Sequence, residues 1–236
     1  MAMTSGDIAQ TRLAVLYALG TALANAADAG NKTGIAEILS NGLDVNAPML
    51  PFPSRRETHG YIEATYMLRE ETSLHDDEVV TIVCAVTQQT LTALGGLGQN
   101  IDPHSREEAK SSLPYCVAAS LVLNKITRNA FTPEAIRNPR ILALAKKISC
   151  VVDPGMPEDE SRVTVNRARG KPVECIVTVS LGGENNEMTA DQVRANFHDD
   201  MAYAGHSGMA ESAIAAVEAM QSVSDTGALI ALFRKA

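Results

Sequence analysis

Residues 79–87 read VVTIVCAVT, and this run decides the fold class. Its β-branched residues are dense and the run is short, so it reads as a buried strand. Upstream the pattern is helical. Ile8, Leu13, Leu16, Leu19 and Leu23 recur near three- and four-residue spacing in an Ala-rich stretch, and Gly30 follows as a stop. A short second helix is expected over residues 33–40, closed by Asn41-Gly42. Pro48, Pro51 and Pro53 make residues 46–56 an extended connector, and helix resumes at about residues 60–71 with Ile62, Tyr66 and Met67 on one face.

Downstream, residues 92–100 hold three glycines and read as loop. Ser105 and Glu108 have the spacing of a capping box at the head of a helical stretch running from Asp102-Pro103 to Lys110. Residues 113–123 form an Ala- and Leu-rich helix with Pro114 in its first turn, and Thr132-Pro133-Glu134 and residues 139–147 start two more. Strands return at residues 148–153, 162–167 and 173–180, the last two joined by a hairpin turn at Ala168-Arg169-Gly170-Lys171. Thr189 with Gln192 makes a second capping box for a helix to about Met201, and residues 208–220 form the final helix. This order predicts an α+β fold. Residues 1–45 and 189–236 are expected to form a helical body, and residues 46–188 a smaller α+β lobe of about four strands.

Of the 236 residues, 45% are hydrophobic, enough for a sizeable core. A net charge of −8 repels a phosphate backbone, and no stretch gathers enough Lys and Arg to reverse that, so no nucleic-acid partner is expected. The longest apolar runs, residues 13–23 and 117–123, fall short of the roughly 20 residues a spanning helix needs, so no membrane association is expected. No basic stretch followed by an apolar one marks a secretory signal. Cys84, Cys116, Cys150 and Cys175 form no CxxC pair and join no His-rich cluster. They read as buried, reduced thiols in a cytoplasmic protein.

The chain has no P-loop, GxGxxG, GxSxG or HExxH pattern, and Gly95-Gly96-Leu97-Gly98 lacks the Lys-Ser/Thr that phosphate binding requires. His75, His104, His198 and His206 sit in polar surroundings and read as surface or capping residues. His59 differs. It follows the Pro-rich connector at a helix start, with Arg55, Arg56 and Thr58 beside it. Free N–H groups, a positive dipole end and two guanidiniums suit an anionic carboxylate, with the imidazole moving a proton; packing or capping is the plainer alternative. In residues 107–115, Ser111 and Ser112 precede Pro114 and read as N-capping residues, while Tyr115 is half core and half surface unless it reaches a pocket.

These two strings resemble the MmgE/PrpD family, which includes 2-methylcitrate dehydratase, cis-aconitate decarboxylase and iminodisuccinate epimerase. The similarity rests on PSRRETHGYIEA (residues 53–64) and EEAKSSLPYCVAA (residues 107–119). Phe131-Thr132, NPRILALAKKI (residues 138–148), the paired strands around Gly170 and the helix over residues 189–197 follow in the family's order. The resemblance implies a helical lobe plus a smaller α+β lobe, and homodimers acting on small di- or tricarboxylates without metal or organic cofactor. The implied chemistry is proton abstraction beside a carboxylate, followed by loss of water, loss of CO2 or reprotonation. His59 matches the family's active-site histidine. Arg55, Arg56, Thr58, Ser111, Ser112 and Tyr115 become substrate-side candidates.

Two departures shape the expectation. Nothing before Asp44 resembles the family's N-terminal helical half, and the basic residue often found before the connector's Phe-Pro is replaced by Met49, Leu50 and Pro51. The chain therefore reads as a form lacking most of that half, as a homodimer or as a hetero-oligomer with a chain that supplies it. A rebuilt but complete enzyme, and a binding or regulatory protein that kept the fold without the chemistry, are the other readings.

Overall fold

A computed structural model describes residues 5–30, 42–183 and 185–220; the helix expected over residues 33–40 lies outside them. In chain order the elements are α1 (Ser5–Asp28), α2 (His59–Thr72), β1 (Val79–Val86), α3 (Gln88–Ala93), α4 (Arg106–Ser111), α5 (Leu113–Leu123), α6 (Pro139–Ala145), β2 (Ile148–Val152), β3 (Ser161–Arg167), β4 (Val173–Val177), α7 (Ala190–Tyr203) and α8 (Ala210–Ala219), with short 3₁₀ turns between them. The fold is α+β, with two compact units: one drawn from Met1–Pro51 and Met188–Ala236, the other Phe52–Glu187.

In the second unit the four strands form one mixed sheet in the order β2-β1-β3-β4. β1 runs parallel to β2, with Cys84 opposite Cys150, and antiparallel to β3, with Cys84 opposite Val163. β3 and β4 form the hairpin that the turn at residues 168–171 predicts. Side chains alternate across the pleat, so Ile82, Cys84, Val86, Val163, Val165, Cys175 and Val177 all turn to the covered face. There α2 packs over β3 and β4, and α5 packs against α2, α6 and β2. Leu113–Leu121 are buried on every side, as expected of a helix apolar all round.

Local chemistry sets the helix ends. α5 begins where Ser112 Oγ accepts the Tyr115 N–H, and α6 where Asn138 accepts the Arg140 N–H ahead of Pro139. Four expectations change in detail. Ser105 caps α4, but the Glu108 carboxylate accepts the His104 N–H, one residue before the position a capping box requires. Thr132-Pro133-Glu134 opens only the 3₁₀ turn Ala135–Arg137, because Asn138 must leave helical geometry ahead of Pro139. The expected loop at residues 92–100 contains the end of α3 and a 3₁₀ turn, Gly95–Leu97, since Thr87 caps a helix straight after β1. β4 stops at Val177, and beyond it the Gly182 N–H donates to Asn186 O at 2.7 Å.

The first unit is helical. α1 packs along α7 and touches α8. Gly30, at φ +68, provides the left-handed stop that ends the α1 segment. The Thr189–Gln192 capping box of α7 is complete, with both reciprocal bonds made. Arg12 Nε and Nη2 donate to the Met220 carbonyl at 2.9 and 2.6 Å, satisfying an acceptor at the end of α8, and Tyr203 donates to Asp28 at 2.6 Å. No helix among the described residues is long and apolar enough to cross a membrane.

Candidate functional site

The chain enters α2 through one tight turn. Phe52, Pro53 and Ser54 are half-buried, Arg56–Thr58 form a single 3₁₀ turn, and α2 starts at His59. The Thr58 N–H and hydroxyl both donate to the Arg55 carbonyl, at 2.9 and 2.7 Å. That uses the only Thr58 hydroxyl proton, so Ser54 donates to Thr58 Oγ1 at 2.8 Å. The Arg55 N–H donates to the Lys110 carbonyl at 3.1 Å and ties the turn to α4. Cys116 on α5 faces the same hydroxyl pair. Burial pushes its thiol up to about 12, with Thr58 and Ser54 pulling the other way.

His59 has no exposed surface. Its Nε2 lies 3.2 Å from the Ser54 carbonyl, and a carbonyl only accepts, so Nε2 carries the ring proton. Nδ1 is then the unprotonated nitrogen, and it is buried with no hydrogen-bond partner among the described residues. The Phe52 ring stands edge-on, with centroids 5.3 Å apart and planes at 87°. Burial is the largest influence on the imidazole and pushes its pKa from 6.5 down to about 4. The Ser54 carbonyl and Glu57 oppose that shift, and Arg56 adds to it. At neutral pH the ring is therefore an uncharged base with its lone pair in dry surroundings.

The two arginines part company. Arg55 Nη2 donates to the Ala93 carbonyl at 3.2 Å, and Nε lies 3.8 Å from Glu57; with the Arg55 side chain 55% exposed, that ion pair contributes little. Arg56 is exposed, its side chain makes no hydrogen bond or ion pair among the described residues, and it lines a cavity of about 490 Å³. None of the other six candidates lines it.

The Ser112 and Tyr115 hydroxyls are engaged in the fold. Ser112 Oγ caps α5 and donates to the Asn100 carbonyl. The Tyr115 phenol is fully buried, donates to Ala130 O at 2.6 Å, and is made less acidic by that burial. Ser111 is half-buried at the end of α4. The turn thus brings Arg55, Arg56, Thr58 and His59 together, while Ser112 and Tyr115 are turned to backbone carbonyls. Ser54, which orients the histidine, had no sequence signal beyond its place five residues upstream. Among the described residues, no group of three or more His, Cys, Asp or Glu could hold a metal ion.

A model of the MmgE/PrpD C-terminal domain matches residues 52–222, most of the chain. A search of curated proteins returned no match.

Proposed function

The chain belongs to the MmgE/PrpD family, and on that premise we propose that it is a lyase or isomerase, or a component of one, acting on a small polycarboxylate or related acid. The reaction begins with removal of a proton beside a carboxylate; dehydration, decarboxylation or epimerisation follows. The observation that carries this reading is the bare, buried Nδ1 of a neutral His59 at the head of α2. A base of that kind accepts a carbon-bound proton at Nδ1 while Nε2–H stays on the Ser54 carbonyl. Arg55 provides a nearby guanidinium for a carboxylate. Substrate reaches the imidazole only when the groups that bury it move.

The family's N-terminal helical half is not part of the matched model, so the test is run with and without copurified protein. The protein is incubated in D2O with a panel of di- and tricarboxylates, and NMR reads deuterium uptake beside the carboxylate, the step all three outcomes share. Wild type is expected to exchange at least one acid, with activity falling off near pH 4 rather than 6.5, and His59→Gln is expected to lose exchange. Retained exchange in folded His59→Gln, or an acid limb near 6.5, refutes the role of His59. Native mass spectrometry distinguishes a homodimer from a hetero-oligomer.

A second reading is a binding or regulatory subunit without chemistry. The engaged hydroxyls of Thr58, Ser112 and Tyr115 and the absence of exposed surface on His59 favour it. It requires carboxylate binding with no deuterium uptake under any condition.

A further inference from the structure

The cavity that Arg56 lines is built entirely within the unit Phe52–Glu187, and His59 does not reach it. Four stretches converge there, each ending or starting at the same end of the layered unit: the turn into α2, α3, the approach to β3 and the loop after β4. Gly60 and Ser161 meet where α2 crosses the start of β3. A Cβ on Gly60 would lie 2.8 Å from the Ser161 Cβ, so only glycine permits the approach. The loop wall is preformed. Leu181 N–H donates to Glu63 at 2.9 Å, and the Asn186 amide donates to Val179 O at 2.9 Å.

The charges lining this space are unbalanced and unspent. Glu160 is paired with Arg162 at 2.6 Å, and Glu57 lies 3.8 Å from the exposed Arg55, a weak pair. That leaves the Arg56 guanidinium with no ion pair, and Glu158 and Asp159 exposed and equally without one among the described residues. Ser180, Thr90, Gln89 and Asn185 add neutral donors and acceptors. A polycarboxylate would meet the repulsion of two free acids, and a simple cation would leave Arg56 unanswered. A ligand with one carboxylate and one ammonium group meets both. The volume lies within the range of small-molecule sites.

We propose that this cavity is a binding site, separate from His59, for a small zwitterion of the α-amino acid class, its carboxylate on Arg56 and its ammonium on Glu158 and Asp159. The site does not depend on any catalysis at His59, and it is tested by binding alone.

The 236-residue chain is titrated with L-aspartate, L-glutamate and L-alanine, with succinate as the carboxylate-only control and putrescine as the ammonium-only control. Amide chemical shifts of Gly60, Ser161, Ser180 and Asn185 report on the cavity. At least one amino acid is expected to shift these signals at millimolar concentration, with succinate and putrescine inactive. Arg56→Gln and Asp159→Asn change exposed side chains, and each is expected to weaken binding roughly tenfold, the weight of one charge-assisted contact. No shift with any amino acid, equal binding of succinate, or unchanged affinity in both variants overturns the proposal. His59→Gln is expected to bind as wild type, so failure of the carboxylate chemistry and failure of this site show up in different experiments.

Discussion

His59 couples the site to the stability of the fold. In the unfolded chain its imidazole titrates near 6.5, whereas in the folded chain burial holds it near 4. Above pH 6.5 both states are neutral and the residue contributes no pH dependence. As the pH falls from 6.5 towards 4 the unfolded chain takes up a proton that the folded chain refuses, so the unfolded state gains. Below 4 both are protonated and the loss levels off. The full window corresponds to about 3 kcal/mol of lost stability. Urea unfolding of wild type and His59→Gln between pH 7.5 and about 4 is expected to show this slope in wild type and its absence in the variant. Parallel curves would mean that the folded imidazole takes up its proton as readily as the unfolded one, and that burial does not hold its pKa down. The same lone pair that suits proton abstraction is therefore a liability in acid, and the Ser54 carbonyl limits it only in part.

At the scale of elements, α5 shows why neighbouring serines differ. Ser112 Oγ accepts the Tyr115 N–H and donates to the Asn100 carbonyl in a fully buried setting. Ser112→Ala removes both bonds and strands an amide, and is expected to cost about 2 kcal/mol by chemical denaturation. Ser111, half-buried and without a side-chain hydrogen bond among the described residues, is expected to change stability by less than about 0.5 kcal/mol when replaced by Ala. Equal effects would show that the cap does not hold α5 in place. Much of this was legible in the residues: Pro114 and the polar pair before it mark the start of α5, and VVTIVCAVT marks β1. Such signals are local, because caps and strand runs act within a few residues. The partnering of Ser54 with His59 was not legible, since a backbone carbonyl carries no sequence signature. The cavity was harder still. Ser161, Ser180 and Asn185 lie about a hundred residues beyond Arg56 and reach it only through the order β2-β1-β3-β4. Thr132-Pro133-Glu134 was misread because the conformational demand of Pro139, six residues on, overrode a good start signal.

For the whole molecule, the unit Phe52–Glu187 has a core of its own. Tyr61 to Val177 supply one contiguous buried cluster that includes Leu113, Phe131 and Ile141. That cluster includes Cys84, Cys116 and Cys175, with Cys150 packed against it. Cys84, Cys150 and Cys175 fall in one row across the covered face of the sheet, through the pairings Cys84 with Cys150 and Val163 with both Cys84 and Cys175. Cys116 sits on α5 beneath the connector turn. All four are free, but only Cys150 is half-exposed, and burial raises the pKa of every one. A thiol reacts through its thiolate, so the native chain should be nearly inert to alkylation at neutral pH. Cys84 and Cys116, fully buried, are then reached only by opening of the whole core, while Cys150 needs no more than local motion at the edge strand β2. A segment comprising residues 52–187 is expected to fold alone and to reproduce this ranking: mass spectrometry after iodoacetamide labelling finds Cys150 modified first, and Cys84 and Cys116 together and last. In urea all four label at one rate. If the isolated segment labels uniformly without urea, the sheet does not stand on its own core.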